Sequence, residues 1–261
     1  MVDHHYQERF GGLERLYGTG ALEKLQQAHI AVVGIGGVGT WAVEALARSG
    51  VGQLTLIDLD DVCITNTNRQ LHAVEGMVGR LKVQAMAERS RLISPSILVN
   101  EVAQFLTPKN LQEVLGHGVQ VVIDAMDSVP DKAALLAYCK ERDLPLVVSG
   151  GAGGKVDPLK IRMEDLSRTG SDALLKAVRR KWRDLGDSGK FPKVGENSEL
   201  GVPCVYSTEK PILPWEVCSN VEAPGVGGIG RIDCASGFGA VSFVTGTFGL
   251  ALASWAISKI L

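Results

Sequence analysis

The chain carries five cysteines, Cys63, Cys139, Cys204, Cys218 and Cys234, and no two of them form a C-x-x-C pair. The spacing of a structural metal site is therefore missing, and no zinc is expected. An odd cysteine count without a signal-peptide pattern points to a reduced, cytoplasmic setting. An excess of either charge is also missing. With 27 Lys+Arg against 29 Asp+Glu the net charge is −2, which excludes a uniformly basic nucleic-acid binder but leaves room for a local basic patch. There is no internal repeat. What remains is an ordinary globular composition, 45% hydrophobic and 21% charged, in 261 residues, enough to bury a sizeable core.

The first part of the chain alternates short apolar runs with helical periodicity. Residues 29–34, 54–58, 97–102, 119–124 and 146–149 read as strands, and 38–49, 79–93 and 130–142 as helices. Thr107 followed by Pro108 reads as a further helix start. This order predicts an α/β, Rossmann-like, doubly wound and mostly parallel sheet. Beyond the glycine cluster Gly150-Gly151-Ala152-Gly153-Gly154 the pattern loosens. A strand at 160–163 and a basic helix at 171–185 are expected, then long loops over 186–230, then an apolar C-terminal helix over 238–261. Residues 1–155 are thus read as the nucleotide-binding part and 156–261 as a loop-rich extension of the same domain.

The glycine loop Gly34-Ile35-Gly36-Gly37-Val38-Gly39 stands between the first strand and its helix. In that context Gly34 permits the turn, Gly36 lets a phosphate approach the backbone, and Gly39 lets helix and sheet pack closely. The helix N-terminus adds unpaired N–H groups. Asp58 ends the second strand, 24 residues after Gly34, where a carboxylate can hold ribose hydroxyls. Asp60 and Asp61 read equally well as a solvated acidic turn. A nicotinamide enzyme needs no more than this, yet Asn66, Arg69, Gln70 and Lys82 follow. Amide donors, a guanidinium fork and an ammonium suit a triphosphate. Asp127, just past the fourth strand, sits where a magnesium ligand facing that triphosphate would be, and Asp124 reads as structural.

These motifs resemble those of the adenylating ThiF/MoeB/HesA enzymes, bacterial relatives of ubiquitin-activating enzymes. The similarity covers about the first 155 residues, with five separated motifs in order. It implies that ATP binds the glycine loop, that Mg2+ sits near Asp127, and that a substrate carboxylate attacks the α-phosphate to give an acyl-adenylate and pyrophosphate. It implies a homodimer in which an N-terminal arginine, Arg9 or Arg15, reaches the partner's triphosphate. The missing C-x-x-C pairs depart from the branches that activate sulfur-carrier proteins. The opening Arg9-Phe10-Gly11-Gly12-Leu13-Glu14-Arg15-Leu16-Tyr17-Gly18, together with Glu222-Ala223-Pro224-Gly225, is similar instead to a branch acting on tRNA carrying threonylcarbamoyladenosine. That resemblance implies closure of a ring on the modified base with release of AMP, and an association with sulfur-relay proteins. Adenylation of a sulfur-carrier C-terminus, an NAD-dependent oxidoreductase and a non-catalytic tRNA-binding module are the competing readings.

Charge is distributed in keeping with a tRNA substrate. Between Lys155 and Lys193 there are 11 Lys/Arg and 6 Asp/Glu, a local +5 that leaves −7 for the rest. Lys176, Arg179, Arg180, Lys181 and Arg183 fall on one expected helix and are read as phosphate contacts, with Trp182 free to stack on a base or to pack. Cys234 lies in a glycine-rich loop where some relatives use a cysteine to take the acyl group. Ring closure does not need one, so a passive thiol is expected. From Cys234 to Ser258 no residue is charged. That run is read as a helix buried at a dimer interface, with a membrane anchor as the alternative.

Overall fold

The computed structural model describes residues 4–116, 118–187, 199–217 and 238–261. Its centre is one seven-stranded sheet in the order β3-β2-β1-β4-β5-β7-β6. The strands are β1 His29–Val33, β2 Gln53–Ile57, β3 Leu98–Val102, β4 Val121–Asp124, β5 Leu146–Ser149, β6 Ile161–Asp165 and β7 Pro203–Ser207. All neighbours pair in parallel except β6, which runs antiparallel along β7 at the edge. The helices are α1 His4–Tyr17, α2 Ala21–Gln27, α3 Gly39–Arg48, α4 Lys82–Ile93, α5 Leu111–Leu115, α6 Val129–Glu141, α7 Ala173–Asp187, α8 Pro214–Val217 and α9 Ser242–Ser258.

Strands β1, β4 and β5 are buried along their whole length, as continuous apolar runs require when helices cover both faces. Alternate residues of β1 serve the two layers. Ile30 and Val32 pack with α3, α4 and α9, while Ala31 and Val33 pack with α5, α6 and α7. The helices leaving β1 and β4 therefore go to opposite faces, and the crevice between these neighbouring strands opens beyond their carboxyl ends. The helix after β1 packs so closely that a Cβ on Gly39 would lie 1.8 Å from Gly34 O, and Gly34 itself has φ +88°. No other residue type satisfies both positions at low cost.

Several expectations are corrected. The helix expected from Thr107 and Pro108 begins only at Leu111. The Asn110 carboxamide accepts from Thr107 N at 2.7 Å and from its hydroxyl at 3.1 Å, and this side-chain turn competes with helix. The stretch expected to be all loop supplies β7, which lies between β5 and β6 and carries buried Cys204, Val205 and Tyr206. Its proline takes the first strand position, where no ladder donor is forfeited. Helices α1 and α2 were not expected; α1 buries only Tyr6 and Phe10, one turn apart. Helix α9 packs against α3, with Val244, Phe248, Leu252 and Ala256 in the core. No described helix is long and apolar enough to cross a membrane.

Candidate nucleotide site

The glycine loop leaves β1 beside the end of β4. A Cβ on Gly34 would strike Ala125 O at 2.8 Å, so the loop lies directly against the chain that leads to Asp127. A Cβ on Gly36, by contrast, would meet nothing within 4 Å. That open space sits before α3, whose N-terminus has no side-chain cap. An uncapped helix start with an open approach is an anion cradle.

Around the cradle the expected residues converge, several with a different task from the one read in the sequence. Asp58 fastens the loop: its Oδ2 accepts from Ile35 N at 2.6 Å and its Oδ1 from Asp60 N at 2.8 Å. Burial raises its carboxyl above the ordinary value, against the pull of Lys82. A carboxylate has about four acceptor positions, so ribose contact remains open to it. Asp60 is exposed and pairs with the buried Lys82 at 2.7 Å. Asn66 is buried, and its Oδ1 accepts from Cys63 N at 3.1 Å, closing the 3-10 turn Ile64–Asn66. Gln70 is also buried, and its Oε1 has no partner. The stem of Arg69 lies over the loop, with Cγ 3.4 Å from where a Cβ on Gly37 would stand. Its Nη1 donates to Thr65 O at 2.9 Å and to Asn68 Oδ1 at 3.0 Å. Asp127 is exposed just beyond β4.

Sequence reasoning missed a second ring of residues. His72 is buried, its Nε2 lies 3.1 Å from Ile35 O, and burial pushes its pKa down to about 4. Beneath Asp127, fully buried Lys132 pairs with Asp124 Oδ1 at 3.0 Å, and the same oxygen accepts from Met126 N at 3.0 Å. Asp172 joins the glycine cluster after β5 to α7, accepting from Gly151 N at 2.8 Å and Leu175 N at 2.9 Å. No periodicity separates these groups from solvated charges; only the convergence of distant strands does.

Helix α7 divides the residues read as tRNA contacts. Lys176, Arg180, Lys181 and Arg183 are exposed. Arg179 is turned inward, its Nη1 donating to Leu166 O at 2.9 Å and also reaching Thr169, so it braces the corner before α7 and is not a free cation. Trp182 is 6% exposed and packs in the core, which removes it as a stacking platform. Arg9 and Arg15 are exposed on α1. That helix docks through Tyr6 and Phe10 on Gly50, past the far end of α3. Neither arginine lies beside the glycine loop of its own chain. Cys234 and Glu222-Ala223-Pro224-Gly225 lie outside the described residues.

The sequence pattern of the ThiF family matches residues 9–261. The chain belongs to the ThiF family. Family membership thus spans the sheet, the basic helix and α9, beyond the first 155 residues that carry its motifs. Among curated members, the chain is 48% identical to the tRNA threonylcarbamoyladenosine dehydratase of Escherichia coli (strain K12), covering 100% of this chain and 96% of that one. It is 40% identical to the enzyme of the same name from Bacillus subtilis (strain 168), over 78% of this chain and 76% of the other. The Escherichia coli enzyme TcdA in complex with ATP superposes with a TM-score of 0.86 at 45% identity, covering 100% of this chain and 96% of that one. Its complex with AMP gives the same score.

Proposed function

We propose that this chain is an ATP-dependent enzyme that dehydrates threonylcarbamoyladenosine beside the anticodon of tRNA. The substrate carboxylate attacks the α-phosphorus of ATP, pyrophosphate leaves, and an acyl-adenylate forms. An internal nucleophile of the same modified base then attacks the acyl carbon and AMP departs with the carboxylate oxygen. The base has lost the elements of water and gained a ring. The carrying observation is the open cradle at Gly36, set before the uncapped α3 and flanked by Arg69, in a chain 48% identical over its full length to a protein of that name.

In this reading Gly34, Gly36, Gly37 and Gly39 form the phosphate cradle, Asp58 takes the ribose, and Asn66, Arg69, Gln70 and Lys82 surround the triphosphate. The unpartnered Gln70 Oε1 needs a donor, which a triphosphate does not offer, so a phosphate contact from Gln70 would run through its Nε2 amide. Lys82 reaches the phosphates by leaving Asp60, an exchange of one anion for another. Asp127 fits magnesium: an exposed carboxylate beside the loop suits an ion that takes one or two carboxylates when phosphates and water supply its other ligands. Bound there, magnesium would offset phosphate charge. The protein's own part is positioning and charge stabilisation. The exposed face of α7 contacts tRNA phosphates without reading sequence. A homodimer fits the exposure of Arg9 and Arg15 on α1, which docks on Gly50 past the far end of α3 from the cradle.

ATP–pyrophosphate exchange, run with modified tRNA, unmodified tRNA and no tRNA, tests this. Exchange should need the modified tRNA. Equal exchange in all three arms defeats the substrate, and absent exchange with tight NADH binding defeats adenylation. Exchange stimulated by a sulfur-carrier protein would favour the competing substrate.

A further inference from the structure

Arg69 is held from behind by residues far from it in sequence. Trp41 Nε1 donates to the Arg69 main-chain carbonyl at 3.1 Å. Thr245 Oγ1 lies 3.4 Å from the same carbonyl, sharing its one proton with Ser242 O at 3.3 Å and Val241 O at 3.4 Å of its own helix. Trp41 is in the first turn of α3 and Thr245 in the first turn of α9. The preceding residue is tied to the same region, since Asn68 Nδ2 donates to Ala240 O at 2.8 Å. The Thr245 methyl and the Arg69 stem meet at the glycine loop: a Cβ on Gly37 would stand 3.3 Å from Thr245 Cγ2 and 3.4 Å from Arg69 Cγ. Helix α9 makes room for the indole with glycines. A Cβ on Gly246 would lie 3.4 Å from the Trp41 ring, and one on Gly249 only 2.7 Å from Trp41 Cβ.

We propose that Trp41 and Thr245 are positioning residues of the adenylation site: they pin the Arg69 carbonyl and so fix the arginine stem across the glycine loop. This rests on the reading of that loop as the ATP cradle. A free arginine loses side-chain entropy when it is ordered on a phosphate. Anchoring its backbone and laying its stem against Gly37 removes part of that loss before ATP arrives, which is preorganisation. With Nη1 engaged by Thr65 and Asn68, the plane of the guanidinium is set as well. Helix α9 is thereby part of the frame of the site without offering a group to the nucleotide.

Conservative variants, compared in two backgrounds, separate this role from packing. Trp41→Phe keeps a ring and removes the N–H; Thr245→Val keeps the shape and removes the hydroxyl; Thr245→Ser restores it. Each is made in the native chain and in an Arg69→Ala chain, and KM for ATP, kcat in pyrophosphate exchange and the dissociation constant for ATP are measured. In the native chain, Trp41→Phe and Thr245→Val should raise KM for ATP about three- to tenfold, the loss of one hydrogen bond, with Thr245→Ser near native. In the Arg69→Ala chain neither should change the dissociation constant by more than about twofold. Equal fold-losses in both backgrounds overturn the proposal, as does a Thr245→Ser chain as impaired as Thr245→Val. If Trp41→Phe does not fold, the Thr245 pair carries the same comparison. Failure of the ATP reading shows differently, as a native chain that binds no ATP.

Discussion

Ile35 is gripped at both of its polar groups: Asp58 takes its N–H and His72 its carbonyl. The glycine loop therefore leaves the sheet along a fixed path, held by two titratable groups. His72 has its pKa lowered by burial from an ordinary value of 6.5 to about 4. Its neutral form belongs to the fold, so the unfolded chain binds the proton more tightly between those values. The stabilisation is complete above pH 6.5 and is lost as pH falls toward 4, a difference of about 3 kcal/mol. Urea unfolding of the native chain and of His72→Gln at both ends of that window checks this. The variant keeps an N–H donor for Ile35 and should lack that share of the acid loss.

At the scale of elements, α7 shows how a charge run divides once folded. Arg179→Ala should lower Tm and leave tRNA affinity unchanged, because its guanidinium serves Leu166 and Thr169. Replacing Arg180, Lys181 and Arg183 with alanine should weaken tRNA binding and flatten its salt dependence, by up to about one unit of log–log slope for each phosphate no longer neutralised, with ATP affinity intact. Filter binding across a salt series measures both. The sequence pattern told helix from strand here, but not which arginine meets a cluster of carbonyls, since that cluster comes from the turn Leu166–Arg168. The β1–loop–α3 unit was legible because its constraints are local: strand, glycines and helix follow one another. Strand β7 was not, because five residues flanked by loops become a strand only when β5 and β6 offer edges. Trp41, Thr245 and His72 escaped for the same reason, each acting on a residue distant in the chain.

For the whole molecule, the question is how two copies would share one site. The arginines of α1 stand on the side of the fold away from their own cradle, so a dimer that uses them must exchange them. Chains carrying Arg15→Ala and Asp127→Asn, each impaired alone, should regain about a quarter of native activity when mixed and refolded together, since half the dimers are mixed and each holds one intact site. Mixing without recovery, while Arg9→Ala complements Asp127→Asn, would assign the role to Arg9. Recovery with neither would show that each subunit works alone.

The packing of α9 on the start of α3 joins Val38 to Gly249, two segments far apart in the sequence. During synthesis the phosphate loop emerges well before its buttress. A chain cut off before α9 would keep every residue read as an ATP ligand and still lack the frame that sets Arg69. The full affinity for ATP is thus expected only once α9 has docked, because the frame of the phosphate loop is completed after the loop itself.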